Sequence, residues 1–117
     1  MRHHNANRKF GRERNQRRAL LRSLARSLIV HETLTTTEAK AKELRPFVEE
    51  MVTAARKDTP ATRRLLGSRL GGSAASVKKL VDTIAPRYTN RAGGYTRLVR
   101  LPRRESDGSS VMKISFV

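Results

Sequence analysis

The side chains that could perform catalysis are few and poorly placed for it. His3 and His4 are adjacent in an Arg-rich segment and make a poor metal site without further ligands, so contacts with phosphate or sugar are the better interpretation. His31 is expected to follow the first helix and to donate to its last carbonyls. Glu49 and Glu50 are neighbours, and a helix splays neighbouring side chains apart. The sequence therefore predicts no catalytic residue, no metal and no cofactor.

Several other kinds of protein are disfavoured by composition. The chain has no cysteine, which excludes disulfides, thiolate zinc sites and cysteine nucleophiles. Gly93 and Gly94 form a bare pair, far short of a nucleotide-binding fingerprint. No apolar run approaches the roughly 20 residues of a membrane span. The Arg-rich start is faintly similar to a transit peptide but lacks a cleavage-site pattern. We expect a cytoplasmic protein that is not an enzyme and has no membrane or small-molecule partner.

Charge is the strongest signal in the sequence. The 117 residues include 26 Lys and Arg but only 10 Asp and Glu, a net charge of +16. A compact fold with this charge repels itself, and nucleic-acid phosphate is the natural counter-charge. The net charge is +8 over residues 1–26, −1 over 27–59, +4 over 60–85 and +5 over 86–117. The chain therefore resembles a scaffold with basic contact regions toward both ends.

The first basic region is predicted to be an arm, residues 1–14. It has no apolar periodicity, so it should become ordered only against an acidic partner. A slim cationic segment can pass between RNA helices where a folded domain does not fit. A disordered tail that serves solubility is the alternative. The residues of the arm predicted to contact RNA are Arg2, His3, His4, Arg8, Lys9, Arg12 and Arg14.

The second basic region is PRYTNRAGGYTR, residues 86–97. Its arginines supply charge, and its two tyrosines, the only ones in the chain, supply faces on which bases can stack. Its glycine pair permits a tight turn or a close backbone approach. An ordinary loop entering a strand, with Tyr95 half buried, is the alternative. The predicted RNA contacts here are Arg87, Tyr88, Arg91, Gly93, Gly94, Tyr95, Thr96 and Arg97.

A helix between Asn15 and Val30 should present the remaining basic residues. Leucines recur every four residues from Leu20 to Leu28 and are joined by Leu21, Ala25 and Ile29, which is one apolar helical face. The other face is basic, so the helix offers one side to a core and one to phosphates. The basic residues there are Arg14, Arg17, Arg18 and Arg22.

The rest of the chain predicts three more helices and three strands. Residues 32–36 favour a strand, and a second helix follows from Thr36 or Thr37, with Thr35 and Glu38 at capping-box spacing. Pro46 predicts a kink or short break in that helix. A third helix should begin at 59–60 and end at 71–72. The fourth should be capped by a serine at 73 or 76 and end at Pro86.

The last third alternates with the period of strands, at residues 96–101 and 111–117, around a turn at 107–108. These elements predict an α+β fold. A small mixed three-stranded sheet, made of one early strand and a C-terminal hairpin, packs against about four helices. We expect residues 15–117 to form a single domain that carries the basic N-terminal arm of residues 1–14.

Two stretches, GRERNQRRALLRSLARSLIVHETLTTTEAKAKELRP and IAPRYTNRAGGYTRLVRL, resemble the bacterial large-subunit ribosomal protein seventeen family. The resemblance runs over nearly the whole chain, and TTTEAKAKELR and RAGGYTR are its most specific parts. It implies an α+β fold, an architectural role without enzymatic activity, and binding to large-subunit rRNA near the exit of the peptide tunnel, among neighbouring ribosomal proteins. It places the RNA contacts on the arm, on the basic face of the first helix and on RAGGYTR. Thr36 and Lys40, in TTTEAKAKELR, are further RNA contacts that it implies.

Two other functions remain open at this point. A basic architectural or helix-turn-helix DNA-binding protein would also be basic and helical, and the third and fourth helices could imitate that motif. An RNA-processing enzyme would need an acidic metal site or a convergent acid and base, and the sequence shows neither.

Overall fold

The computed structural model describes residues 13–117 and shows an α+β fold, as predicted. The α-helices are α1 (Arg14–His31), α2 (Glu38–Ala55), α3 (Pro60–Arg69) and α4 (Ala74–Lys79), and the strands are β1 (Thr33–Thr37), β2 (Thr96–Leu101) and β3 (Val111–Phe116). After α4 the chain continues in a π-helical turn over Leu80–Ile84 and a 3-10 turn over Ala85–Tyr88.

The three strands form an antiparallel sheet in the order β1-β3-β2. Leu34 and Leu98 lie on either side of Ile114 in the register. The predicted mixed sheet is therefore wrong in its strand directions. The hairpin requires β2 and β3 to be antiparallel, and β3 enters between β1 and β2 so that it opposes both.

The core forms where the predicted apolar stripes of the helices meet one face of the sheet. Ala25, Leu28 and Ile29 of α1 are fully buried, and they pack in one cluster with Leu44 of α2 and Ile114 of β3. Leu20 and Leu21, earlier in α1, are only partly buried. The C-terminal half of α1 therefore anchors the helix, while its N-terminal half carries the basic residues at the surface.

The starts of α3 and α4 follow the predicted capping chemistry. The Thr59 hydroxyl accepts a hydrogen bond from the backbone N–H of Thr62 at 3.1 Å, and Pro60 occupies the first turn. The Ser73 hydroxyl accepts from the N–H of Ser76 at 3.3 Å. Local hydrogen bonds thus set both boundaries.

Three local predictions are wrong. The capping box does not form, because Thr35 lies inside β1 and the Glu38 carboxylate pairs with Lys42 and Arg100. The short break predicted at Pro46 is absent, because α2 is continuous there with buried residues on both sides, whereas a kink stays a prediction. Pro86 does not end the helical path: it lies in the first turn of the 3-10 segment, where a proline's missing N–H leaves no partner unpaired.

Candidate nucleic-acid interface

One row of arginines on α1 forms the first candidate contact surface, named here the α1 basic strip: Arg14, Arg17, Arg18 and Arg22. Their spacing of three and four residues places them along one side of the helix. Arg14 and Arg18 are exposed, and Arg17 and Arg22 are partly buried. None of the four forms an ion pair with an acidic residue within 13–117, although Glu43 and Glu50 line the same trough as three of them.

Arg14, predicted as the last residue of the arm, is the first residue of α1. The other predicted contacts of the arm, Arg2, His3, His4, Arg8, Lys9 and Arg12, lie outside the described residues. Thr36 and Lys40 are partly buried, in β1 and in the first turn of α2 respectively.

The second predicted contact region forms a turn that α2 holds in place, named here the 89–94 loop. Arg56 donates from its two terminal nitrogens to the carbonyl oxygens of Thr89 and Arg91, both at 2.7 Å. The Glu49 carboxylate accepts from the backbone N–H of Tyr95 at 2.9 Å, just after the loop. Both Arg56 and Glu49 were missed as contributors, since nothing in the sequence connects them to a segment that begins 33 residues after Arg56.

Arg91 and Gly94 of the 89–94 loop are exposed, as is Arg97 in β2. Gly93 and Gly94 have φ angles of 111° and 65°, in the left-handed region that favours glycine. The turn predicted for this pair therefore forms, and it leaves the two arginines facing solvent. No carboxylate within 13–117 forms an ion pair with either of them.

The two tyrosines are placed differently from the prediction. Tyr88 and Tyr95 are 3% and 1% exposed, and their ring centroids lie 5.1 Å apart in a tilted arrangement. Stacking faces for bases were predicted here, and this is wrong because both rings are enclosed in the core. Thr96 is buried as well, at 3% exposure. The apolar bodies of the tyrosines stabilise the fold and position the adjacent loop.

Both tyrosine hydroxyls remain hydrogen-bonded inside the structure. Tyr88 donates to the carbonyl oxygen of Val117 at 2.8 Å, and burial raises the pKa of its hydroxyl. The Tyr95 hydroxyl lies 3.2 Å from the Thr53 hydroxyl and accepts from Arg56 at 3.1 Å. The Thr53 hydrogen bond, followed by the Arg56 contacts, lowers the pKa of Tyr95. Tyr95 is thereby one of the groups that joins the 89–94 loop to α2.

Arg87 is held by a carboxylate at the end of α1. Its guanidinium pairs with Glu32, and Lys79 lies 3.5 Å from the same carboxylate. Glu32 has a φ angle of 62° and occupies the C-cap of α1, where the chain turns into β1. The hydrogen bond from Arg87 lowers the pKa of Glu32. Arg87 therefore connects the 3-10 turn to α1.

The Glu32 contact predicts a specific acid dependence of stability. Because the pKa of Glu32 is lower in the folded chain, its stabilisation is present above the ordinary pKa of 4.5 and disappears as pH falls through the folded value. Replacing Glu32 by Gln should lower the free energy of unfolding by up to about 1 kcal/mol near neutral pH and by less at about pH 3. Urea denaturation at both pH values measures this, with Glu105→Gln as the control. An equal loss at both pH values would contradict the assignment.

Two of the three arginines of α3, a helix proposed to imitate part of a helix-turn-helix, pair with carboxylates. Arg63 of α3 contacts Asp58 at 2.8 Å and Asp82 at 3.0 Å, and Arg69 contacts Glu50 at 3.1 Å. These pairs reduce the positive charge that α3 could offer to duplex DNA.

A cavity of about 520 Å³ lies between α2 and the π-helical turn. Two of its three charged lining residues are already engaged, since Arg56 binds the loop carbonyls and Asp58 pairs with Arg63; the third is Lys57. Within residues 13–117 no three His, Cys, Asp or Glu side chains are grouped so as to hold a metal ion. The helices described by the structure include none that is long and apolar enough to cross a membrane.

Comparison with known proteins finds one family and many relatives. Residues 20–117 match the family described as Ribosomal protein L17. A protein of Thermomicrobium roseum named Large ribosomal subunit protein bL17 is 53% identical over 117 residues, covering all of this chain and 99% of the relative. Proteins with the same name from Sphingopyxis alaskensis and Gemmatimonas aurantiaca are 48% and 46% identical, and the matches cover the whole of this chain and 84% and 98% of those relatives.

Proposed function

Because the chain belongs to the ribosomal protein L17 family, we propose that it stabilises the large ribosomal subunit by binding large-subunit rRNA through its basic surfaces. The family consists of structural ribosomal proteins rather than enzymes, and the chain is a cytoplasmic protein of the ribosome. Beyond this structural role, the chain contacts rRNA directly and lies near the exit of the peptide tunnel, the position that the resemblance implies.

The α1 basic strip is the observation that carries the proposal. Four arginines lie along one side of α1, N-terminal to the residues of the same side that anchor the helix in the core, and no described carboxylate forms an ion pair with them. Arginine presents forked donors that match phosphate geometry, and a fixed row of them matches the regular spacing of a nucleic-acid backbone. We assign these four residues to the rRNA backbone.

The 89–94 loop supplies a second, preorganised contact. Arg91 and Arg97 are exposed beside it, while Arg56 and Glu49 hold the neighbouring backbone from α2. A loop that is already ordered loses less entropy when it binds. We assign Arg91, Arg97 and the backbone of the glycine pair to RNA, and Tyr88 and Tyr95 to the support of that loop.

The residues of the arm (Arg2, His3, His4, Arg8, Lys9 and Arg12) belong to the proposal as further contacts with rRNA, as do Thr36 and Lys40. Neighbouring proteins of the large subunit are the other proposed partners. The DNA-binding alternative is less favoured by the described residues, since two of the three cations of α3, Arg63 and Arg69, are paired with carboxylates.

Sedimentation of a cell extract through a density gradient after a moderate-salt wash tests the proposal. The tagged chain should co-migrate near-stoichiometrically with large subunits and be absent from small subunits. Arg91→Ala should lower the amount retained by large subunits more than Lys57→Ala does, because Lys57 is an exposed residue just after the end of α2 and outside the proposed interface. A chain that stayed at the top of the gradient or followed chromosomal DNA would refute the proposal.

Tyr95→Ala should also reduce the amount of chain retained by large subunits, but by destabilising the fold rather than by removing a contact with RNA. Its ring is buried against Tyr88 and its hydroxyl contacts Thr53 and Arg56. Thermal denaturation of the free chain separates the two causes: Arg91→Ala should leave the melting temperature unchanged, and Tyr95→Ala should lower it.

A further inference from the structure

A cavity of about 280 Å³ between α1, α2 and α3, named here the Phe47 groove, combines an aromatic ring with several arginines. Its volume is near the lower end of that of small-molecule sites. The lining contains no acidic residue, and its residues are Arg18, Leu21, Arg22, Phe47 and Arg69.

We propose that the Phe47 groove binds one unpaired nucleotide of large-subunit rRNA, with the base against the Phe47 ring and its phosphate between Arg18 and Arg22. This rests on the proposed function and deepens it, because it assigns a base contact to a surface that otherwise contacts only phosphates. Unpaired bases in folded RNA are commonly bound by stacking on aromatic rings next to arginine.

Phe47 is placed to offer its ring. The residue is partly buried, packs against the core and lines the groove. Tyr88 and Tyr95 are enclosed and contact each other. An aromatic side chain that the core already holds in place loses little entropy when a base stacks on it.

Charge determines which occupant fits. Arg18 and Arg22 form no ion pair with a described acidic residue, whereas Arg69 is occupied by Glu50 at 3.1 Å. Phe47 also lines a second trough of about 360 Å³, where Glu43 and Glu50 stand beside three arginines of α1, whereas no carboxylate lines the Phe47 groove. The groove is therefore the more favourable side of Phe47 for a phosphate.

The other candidate occupants fit less well. The N-terminal residues 1–12 carry Arg2, Arg8, Lys9 and Arg12 and no acidic residue, so arginines that line the groove repel them. A base in a duplex is paired and stacked and does not present its face to a groove. A free phosphate ion would engage the arginines but leave the ring uncovered.

A tryptophan at position 47 gives a direct test, because the chain has no tryptophan of its own. The full-length Phe47→Trp variant should bind deproteinised bacterial large-subunit rRNA, and its fluorescence should be quenched as the base stacks on the indole. Val30→Trp is the matched control: Val30 is exposed at the opposite end of α1, and its emission should change little. Inorganic phosphate should leave both emissions unchanged.

Affinity separates stacking from charge. Phe47→Leu should weaken rRNA binding by about 5- to 150-fold without changing the dependence of affinity on salt, because no phosphate contact is lost. Phe47→Tyr should keep near-wild-type affinity, since it keeps the ring. The double variant Arg18→Gln, Arg22→Gln should instead reduce the slope of log affinity against log salt by about 0.7 to 0.9, because the two arginines share one phosphate.

Each outcome decides the matter. The nucleotide site would be overturned if the Phe47→Trp variant bound rRNA without quenching of its fluorescence. It would also be overturned if the Phe47→Leu and Phe47→Tyr variants bound rRNA equally well while both melted like the wild type. In either case the proposed function would stand. Quenching by inorganic phosphate alone would overturn the nucleotide site too. Failure of the unmodified chain to bind rRNA would overturn both proposals.

Discussion

Replacing the four arginines of the α1 basic strip by glutamine is expected to weaken binding to large-subunit rRNA by about 10²- to 10³-fold near 0.15 M salt. Each arginine that neutralises a phosphate releases condensed counterions, and the entropy of that release supplies much of the affinity. The slope of log affinity against log salt should therefore become shallower by about 2 to 3. Filter binding or fluorescence anisotropy over a series of salt concentrations measures both quantities.

The fold should survive these substitutions. The four side chains form no ion pair with a described acidic residue, and the buried residues of α1 are Ala25, Leu28 and Ile29. Glutamine also retains a high helix propensity. The melting temperature should accordingly stay close to that of the wild type.

Four exposed cations scattered over other surfaces provide a matched control: Lys57, Arg64, Lys78 and Arg103. Changing these four to glutamine removes the same net charge, so a general electrostatic attraction would fall equally in both variants. A localised interface predicts a much smaller effect for the scattered set. Equal losses of affinity and of salt slope would show that α1 carries no particular contact.

Replacing Arg56 by alanine is expected to release the 89–94 loop. The guanidinium bridges the carbonyl oxygens of Thr89 and Arg91 and also donates to the Tyr95 hydroxyl, so a single substitution removes three hydrogen bonds. Hydrogen bonds from charged groups contribute about 1.5–3 kcal/mol each when protected, and solvent reduces this at an exposed site. We expect a loss of about 1–3 kcal/mol in the free energy of unfolding, and faster hydrogen exchange of the loop amides.

Arg56→Lys should not restore the loop. A lysine keeps the charge but presents one compact ammonium in place of a planar fork, so it cannot reach both carbonyls in the same geometry. The neighbouring exposed residue gives the control, and Lys57→Ala should leave the exchange rates of the loop unchanged. If Arg56→Ala also left the exchange rates of the loop amides unchanged, the loop would be held by other contacts and Arg56 would have no positioning role.

Much of the secondary structure was predictable because its signals are local. The apolar spacing on α1 and α2, the caps at Thr59 and Ser73, and the alternation in β3 each depend on residues a few positions apart. The errors arose where local rules competed with pairing at a distance. Glu38 had the spacing of a capping box, but Arg100, 62 residues away, shares its carboxylate with Lys42.

The candidate site was predictable in its charge and not in its architecture. The arginines of α1 were assigned from helical periodicity, and the structure leaves them without a described carboxylate partner. The tyrosines were predicted to stack on bases from the composition of their segment alone. The number of aromatic residues in a segment does not reveal whether their rings are buried or exposed. Arg56, Glu49 and Phe47 carried no signal, since their importance comes from what they face across the fold.

The sequence by itself determined the net charge of +16, the amphipathic faces of the helices and the family, because each of these depends only on residue types and their local order. The tertiary structure alone decided that both tyrosines are enclosed, that β3 lies between β1 and β2, and that α2 holds the 89–94 loop. The contacts behind these features are distant in sequence: Tyr88 and Val117 are 29 positions apart, and Glu49 and Tyr95 are 46 positions apart. Such contacts are selected by the packing of the whole core, which no local pattern encodes.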